Sequence, residues 1–143
     1  MVTPNGAGPV VMGQTLGEAL PNLEPGIDTA MIADRCEYVW AKGAPPGLRF
    51  MVESRRIVRA DVTSGATQTA EGAKIGDTEA RILELYPNAR REPHKYTDGF
   101  YLVALPFAPG DTVHRYVFET DGEAVTVFRA GLFPQVGYVE GCS

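Results

Sequence analysis

Gly72-Ala-Lys-Ile-Gly-Asp-Thr-Glu-Ala-Arg-Ile-Leu-Glu-Leu-Tyr-Pro87 reads as a turn, a helix start, a helix and a helix stop. Gly76 supplies the turn, and Asp77 or Thr78 carries a side-chain oxygen that can cap the first free backbone N–H groups. Ala80, Ile82, Leu83 and Tyr86 recur at near-helical spacing, while Glu79, Arg81 and Glu84 are left for solvent. Pro87 has no N–H and disfavours helical geometry in the residue before it, so the helix is expected over 78–86. The same phrase occurs earlier. Gly13-Gln-Thr-Leu-Gly-Glu-Ala-Leu20 aligns with Gly76-Asp-Thr-Glu-Ala-Arg-Ile-Leu83.

Outward from these turns, the hydrophobic period changes to two. Before them, residues 1–8 are rich in Pro, Gly and Asn and read as loop. Residues 15–23 form a weak helix that Gly17 loosens and Pro21 cuts short, and residues 29–33 form a further helical turn. Strands are expected at 36–40, 48–53 and 57–62, then at 100–105, 115–120 and 124–129. Asp121-Gly122 is a strong hairpin signal and lies where Ser54-Arg55 lies in the first half. Residues 88–99 read as a charged loop, and 135–139 as one more edge strand. The expected fold is α+β: two tandem helix-plus-antiparallel-meander repeats, with helices packed on one face of the sheet. The units span 1–62 and 72–143, joined by a small, polar linker at 63–71, within one compact domain.

The 44% hydrophobic content suffices for a core, and the net charge of −5 argues against a nucleic-acid surface. No apolar run is long enough to span a membrane. Cys36 and Cys142 have no CxxC neighbours and form no zinc motif, which leaves three readings. They are two buried thiols, one disulfide, or one reactive thiol. The disulfide is favoured, because a thiol beside the C-terminus is poorly shielded from oxidation. Such a bridge implies an oxidising compartment.

Candidates for chemistry are few. His94 lies near Glu92 and Asp98, and it is the base that a small hydrolase would use. No metal-ligand spacing is present, and no cofactor is expected. The aromatic residues are more informative. Tyr38 and Trp40 share a strand face by spacing, and Tyr96 and Tyr101 border the charged loop. Rigid amphipathic rings of this kind anchor protein interfaces, and they also stack on sugars.

Gly-x-Thr after a short apolar strand, then a helix and a meander, resembles the β-lactamase-inhibitor-protein repeat. It is also similar to the small outer-membrane lipoproteins of the barrel assembly machinery. The fuller pattern of Gly-Asp-Thr-Glu, Tyr-Pro, Pro-His-x-Tyr, Glu-Thr-Asp-Gly and Tyr-Val-Glu-Gly-Cys resembles uncharacterised secreted bacterial proteins. The inhibitor repeats carry a disulfide within each unit, whereas this chain has one cysteine in each half. The resemblance implies an envelope or extracellular site, and binding rather than catalysis.

The leading expectation is therefore an exported bacterial protein-binding module, secreted or periplasmic, with its leader outside this sequence. It would be a monomer or weak dimer, contacting another protein through Tyr38, Trp40, Tyr96 and Tyr101. A carbohydrate or small-molecule binding module is the alternative, and a hydrolase using His94 comes third.

Overall fold

The computed structural model describes residues 1–32, 34–105 and 108–142, with Met31 described by its backbone alone. Ala33 of the expected 29–33 turn and Ser143 of the second unit lie outside the described residues.

The chain begins with three two-residue strands, β1 (Val2–Thr3), β2 (Gly6–Ala7) and β3 (Val10–Val11), paired in that order. The helices α1 (Leu16–Ala19) and α2 (Thr29–Ile32) follow, with a 3-10 turn at Leu20–Asn22. Strands β4 (Glu37–Val39), β5 (Leu48–Glu53) and β6 (Arg56–Val62) form an antiparallel meander. The helix α3 (Glu79–Leu85) precedes β7 (Arg90–Pro93), β8 (Phe100–Ala104), β9 (His114–Thr120) and β10 (Val125–Leu132). A single sheet holds all seven of these strands in the order β4-β5-β6-β10-β9-β8-β7, joined at its centre by β6 against β10.

This overturns the α+β expectation of two helix-plus-meander repeats, because the molecule is mostly β. The helices span only four, four and seven residues. Gly17 and Pro21 confine α1 to one turn before the 3-10 segment takes over, and Pro87 follows directly on the α3 cap at Tyr86. Helices this short form no layer. They fill corners instead: α1 buries Leu16 and Ala19, and α3 buries Ile82.

The two Gly-x-Thr turns also do more than start helices. Gly13 N–H donates to Ile57 O (2.7 Å) and Ile57 N–H to Gln14 O (2.9 Å); likewise Gly76 N–H donates to Val125 O (2.9 Å) and Val125 N–H to Asp77 O (2.8 Å). Each turn is therefore paired to the start of a long strand. Thr15 and Thr78 then cap the helices through the N–H groups of Glu18 and Arg81, both at 3.1 Å.

Three local expectations also change. Residues 1–8 are not loop, because Val2, Ala7 and Val10 are buried and β1 docks on Thr69. The region 88–99 contains edge strand β7, held where Arg91 pairs with Glu79 at 2.9 Å and lies over the Phe100 ring. The tail at 135–139 adds no strand. Its 3-10 turn, Gln135–Gly137, folds over a sheet face, and Val136 is fully buried there.

One sheet face forms the main core. Phe50, Val62, Leu102, Phe118 and Phe128 are at most 1% exposed. The rings of Tyr86, Tyr116, Phe118 and Phe128 run through this layer, with successive centroids 5.0, 5.7 and 5.4 Å apart.

Candidate functional site

The opposite face carries a small apolar cluster of Tyr101, Val103, Val117 and Val136, and beside it a group of buried charges. Arg49, Asp61 and Arg129 stand in register across β5, β6 and β10, and Arg59 lies two residues from Asp61 on the same face. Arg59, Asp61 and Arg129 are at most 5% exposed. Charges this deep need partners.

The C-terminal tail supplies several of them. Arg59 donates through Nη1 to Gln135 O and Tyr138 O, both at 2.8 Å, and through Nη2 to Asp61 Oδ2 at 3.1 Å. Its Nε stands 2.8 Å from Asp61 Oδ1 as an ion contact, with the N–H aimed too far aside for a hydrogen bond. Arg129 donates to Val136 O through Nε and to Glu119 Oε2 through Nη1. These tail carbonyls find guanidinium donors instead of a β-ladder, which is why the expected edge strand is absent.

The tail is fastened at its end. Cys36 and Cys142 form a disulfide with Cα atoms 5.2 Å apart, and Cys142 N–H donates to the Tyr38 hydroxyl at 3.2 Å. Gly141 adopts φ +66°, and a Cβ there would meet the Tyr38 hydroxyl at 2.1 Å, so this approach requires glycine. Lys95 Nζ donates to Glu140 Oε1 at 3.0 Å, and the Tyr96 hydroxyl donates to the same oxygen. Tyr96 above all, and then Lys95, hold the Glu140 carboxyl down at about 2.

His94 belongs to this network. Its Nδ1 accepts the Tyr96 N–H at 3.0 Å, so Nε2 carries the proton and donates to Glu119 Oε1 at 2.8 Å. The side chain is 8% exposed and packs on the Tyr101 ring, with centroids 4.5 Å apart. Both ring nitrogens are thus engaged, and neither is open to take a proton from a substrate.

The four aromatic residues do not form one surface. Tyr38 and Trp40 lie at the β4 edge, and Tyr96 and Tyr101 lie beside β7 and β8. The tail brings two of them near each other: the Tyr38 hydroxyl accepts the Cys142 N–H, and the Tyr96 hydroxyl donates to Glu140, two residues away in the chain. Tyr101 is 9% exposed, and its hydroxyl accepts the Lys95 N–H at 3.1 Å. Tyr38, Tyr96 and Tyr101 all help hold the tail or its neighbouring loop in place. Trp40 is 39% exposed, its indole N–H donating to Pro46 O at 3.1 Å.

A groove of about 270 Å³ runs along the β4 edge, lined by Glu24, Ile27, Asp28, Glu37, Tyr38 and Trp40 among others. Trp40 O accepts the Glu24 N–H at 2.8 Å and so faces away from β5. Tyr38, two residues back, turns its N–H and C=O the same way. Past Trp40 the edge is already covered, since Leu23 bridges Ala41 and Lys42 N–H donates to Asn22 O at 2.9 Å.

A separate hollow of about 250 Å³ lies where α3 ends against β8 and β9. Glu71 Oε1 accepts the hydroxyls of Tyr86 and Tyr116 there, each at 2.7 Å. Burial pushes both phenols well above their usual range, so they act as donors.

The sequence expectations do not include Arg49, Arg59, Asp61 or Arg129. The signal was present: Leu48-Arg-Phe, Val58-Arg-Ala-Asp-Val and Phe128-Arg-Ala place charges at alternate positions of strands rich in buried residues. No protein-family model, curated protein or solved structure matches the chain.

Proposed function

We propose that this is an exported bacterial, non-enzymatic module that binds another protein by taking an extended segment of it along the β4 edge. The observation that carries this reading is the outward-facing Tyr38 backbone beside an acidic groove. An edge strand with unpaired N–H and C=O groups is a template for a further strand. Glu24, Asp28 and Glu37 favour a segment bearing Lys or Arg, and the positioned Trp40 indole offers it an apolar anchor. The opposite edge is less receptive. There β7 carries Arg90 and Arg91 and ends on Pro93, which has no N–H to offer.

Export is favoured by the Cys36–Cys142 disulfide, and among the described residues no helix is long and apolar enough to cross a membrane. Binding rather than catalysis is favoured by the engagement of both His94 nitrogens.

Peptide display against the oxidised protein tests the reading. Lys- or Arg-bearing peptides should be selected and should perturb Trp40 fluorescence. The variant Glu24→Lys/Glu37→Lys, which spares the Asp28 side chain that accepts the Ala30 N–H at the start of α2, should bind them at least about tenfold more weakly at unchanged melting temperature. Equal binding by that variant would reject the groove as the docking seat.

A further inference from the structure

Arg49 is the least bonded charge on the sheet face beneath the C-terminal tail, for Arg59 and Asp61 have other hydrogen bonds. Arg49 Nε lies 3.6 Å from Asp61 Oδ2, too far for a hydrogen bond, and its Cζ sits 3.7 Å over the Tyr38 ring. Among the described residues the Arg49 guanidinium makes no hydrogen bond, although its Nε is buried. The ring thus holds the guanidinium plane in place while its donor edge stays unspent. The side chain, 32% exposed, faces a cavity of about 270 Å³ lined by Tyr38, Arg59, Asp61, Glu119, Arg129 and Glu140 among others.

The charges indicate what the cavity would hold. Among the described residues, Arg49, Arg59 and Arg129 face Asp61 and Glu119, while Glu140 at the rim is paired with Lys95. One positive charge in the cluster is therefore unbalanced, and it sits on the arginine that lacks hydrogen bonds. A monoanion with two coplanar oxygens completes a guanidinium fork. A phosphate dianion would bring a second negative charge up against Asp61, Glu119 and Glu140. The cavity size suits a small organic acid rather than a peptide.

We propose that Arg49, braced on Tyr38 beneath the C-terminal tail, binds the carboxylate of a small organic acid. The site lies on the sheet face and stands independently of the β4-edge reading. Its floor is the Arg59–Asp61 and Arg129–Glu119 pairs, and its rim is tail residues 139–141.

The test uses the oxidised, ¹⁵N-labelled full chain, titrated with benzoate, hexanoate, their amides and inorganic phosphate. The readouts are calorimetry and the Arg49 Nε–H resonance. Benzoate or hexanoate should bind and shift that resonance, with the matched amide roughly tenfold weaker or more. Arg49→Lys keeps the charge but loses the fork, and should weaken acid binding about tenfold at unchanged melting temperature. Four results would overturn the proposal. They are amides binding as tightly as acids, Arg49→Lys binding unchanged, phosphate binding tighter than either acid, or no acid shifting the Arg49 resonance.

Discussion

Removing the bridge with Cys36→Ser/Cys142→Ser tests how the tail and the sheet depend on each other. The cysteines are 106 residues apart in sequence, so the bridge closes most of the chain into one loop. The chain-entropy model credits a loop of that length with about 4–5 kcal/mol, acting on the unfolded state. The native state should change little. Val136 is fully buried without help from the bridge, and Arg59 and Arg129 still bind the carbonyls of Gln135, Val136 and Tyr138. Against a total stability of about 5–15 kcal/mol, the loss is a third or more of the margin. It should lower the melting temperature by about 8–20 °C, taking about 2–4 °C per kcal/mol for a chain of this size. Urea unfolding of the wild type, the reduced wild type and the double variant measures it directly. A loss below about 1 kcal/mol, with the wild-type bridge verified by mass, would refute the loop argument. Equal loss from reduction and from substitution would support it.

Further perturbations probe other parts of the account. Ile82→Ala should cost about 2–5 kcal/mol, because Ile82 is fully buried beneath α3. Leu83→Ala, at a site 38% exposed, should stay within about 0.5 kcal/mol; equal losses would mean that α3 is rotated from the position described. Thr78→Ala removes the α3 cap and should cost about 1 kcal/mol in thermal unfolding. Finally, Glu140 is held at about 2 instead of 4.5, so its ion contact is complete above pH 4.5 and fades as pH falls toward 2. Carboxyl NMR should show that midpoint in the wild type and a higher one in Tyr96→Phe; an unchanged midpoint would remove Tyr96 as the cause.

The long strands were legible in the sequence because runs of apolar residues lie between clear turn signals, even where burial on both faces blurs the alternation. The segment Leu48–Glu53 falls at the expected 48–53, and Asp121-Gly122 closes the β9–β10 hairpin. Helical layers were not. A capping threonine and a few apolar residues mark where a helix starts, but Gly17, Pro21 and Pro87 limit how far it runs. The early glycines concealed a small sheet, since β1 gains its place by pairing with β2 and docking on Thr69, contacts remote from local propensity. The tail misled for a related reason: Val-Gly-Tyr-Val reads as a strand, yet arginines from β6 and β10 use its carbonyls. Of the aromatic candidates, Tyr38 and Trp40 meet at one groove, while Tyr96 and Tyr101 serve the tail and its loop. The arginine cluster could have been found by asking which strand face carried Arg49, Arg59 and Arg129.

The most direct test of a protein partner at the β4 edge is residue-resolved amide exchange at Tyr38, with and without a bound peptide chosen by display. Strand addition should protect the Tyr38 amide and confine the main shifts to β4 and the groove residues Glu24, Asp28 and Trp40. Tight peptide binding that leaves the Tyr38 amide exchanging at its free rate would contradict it.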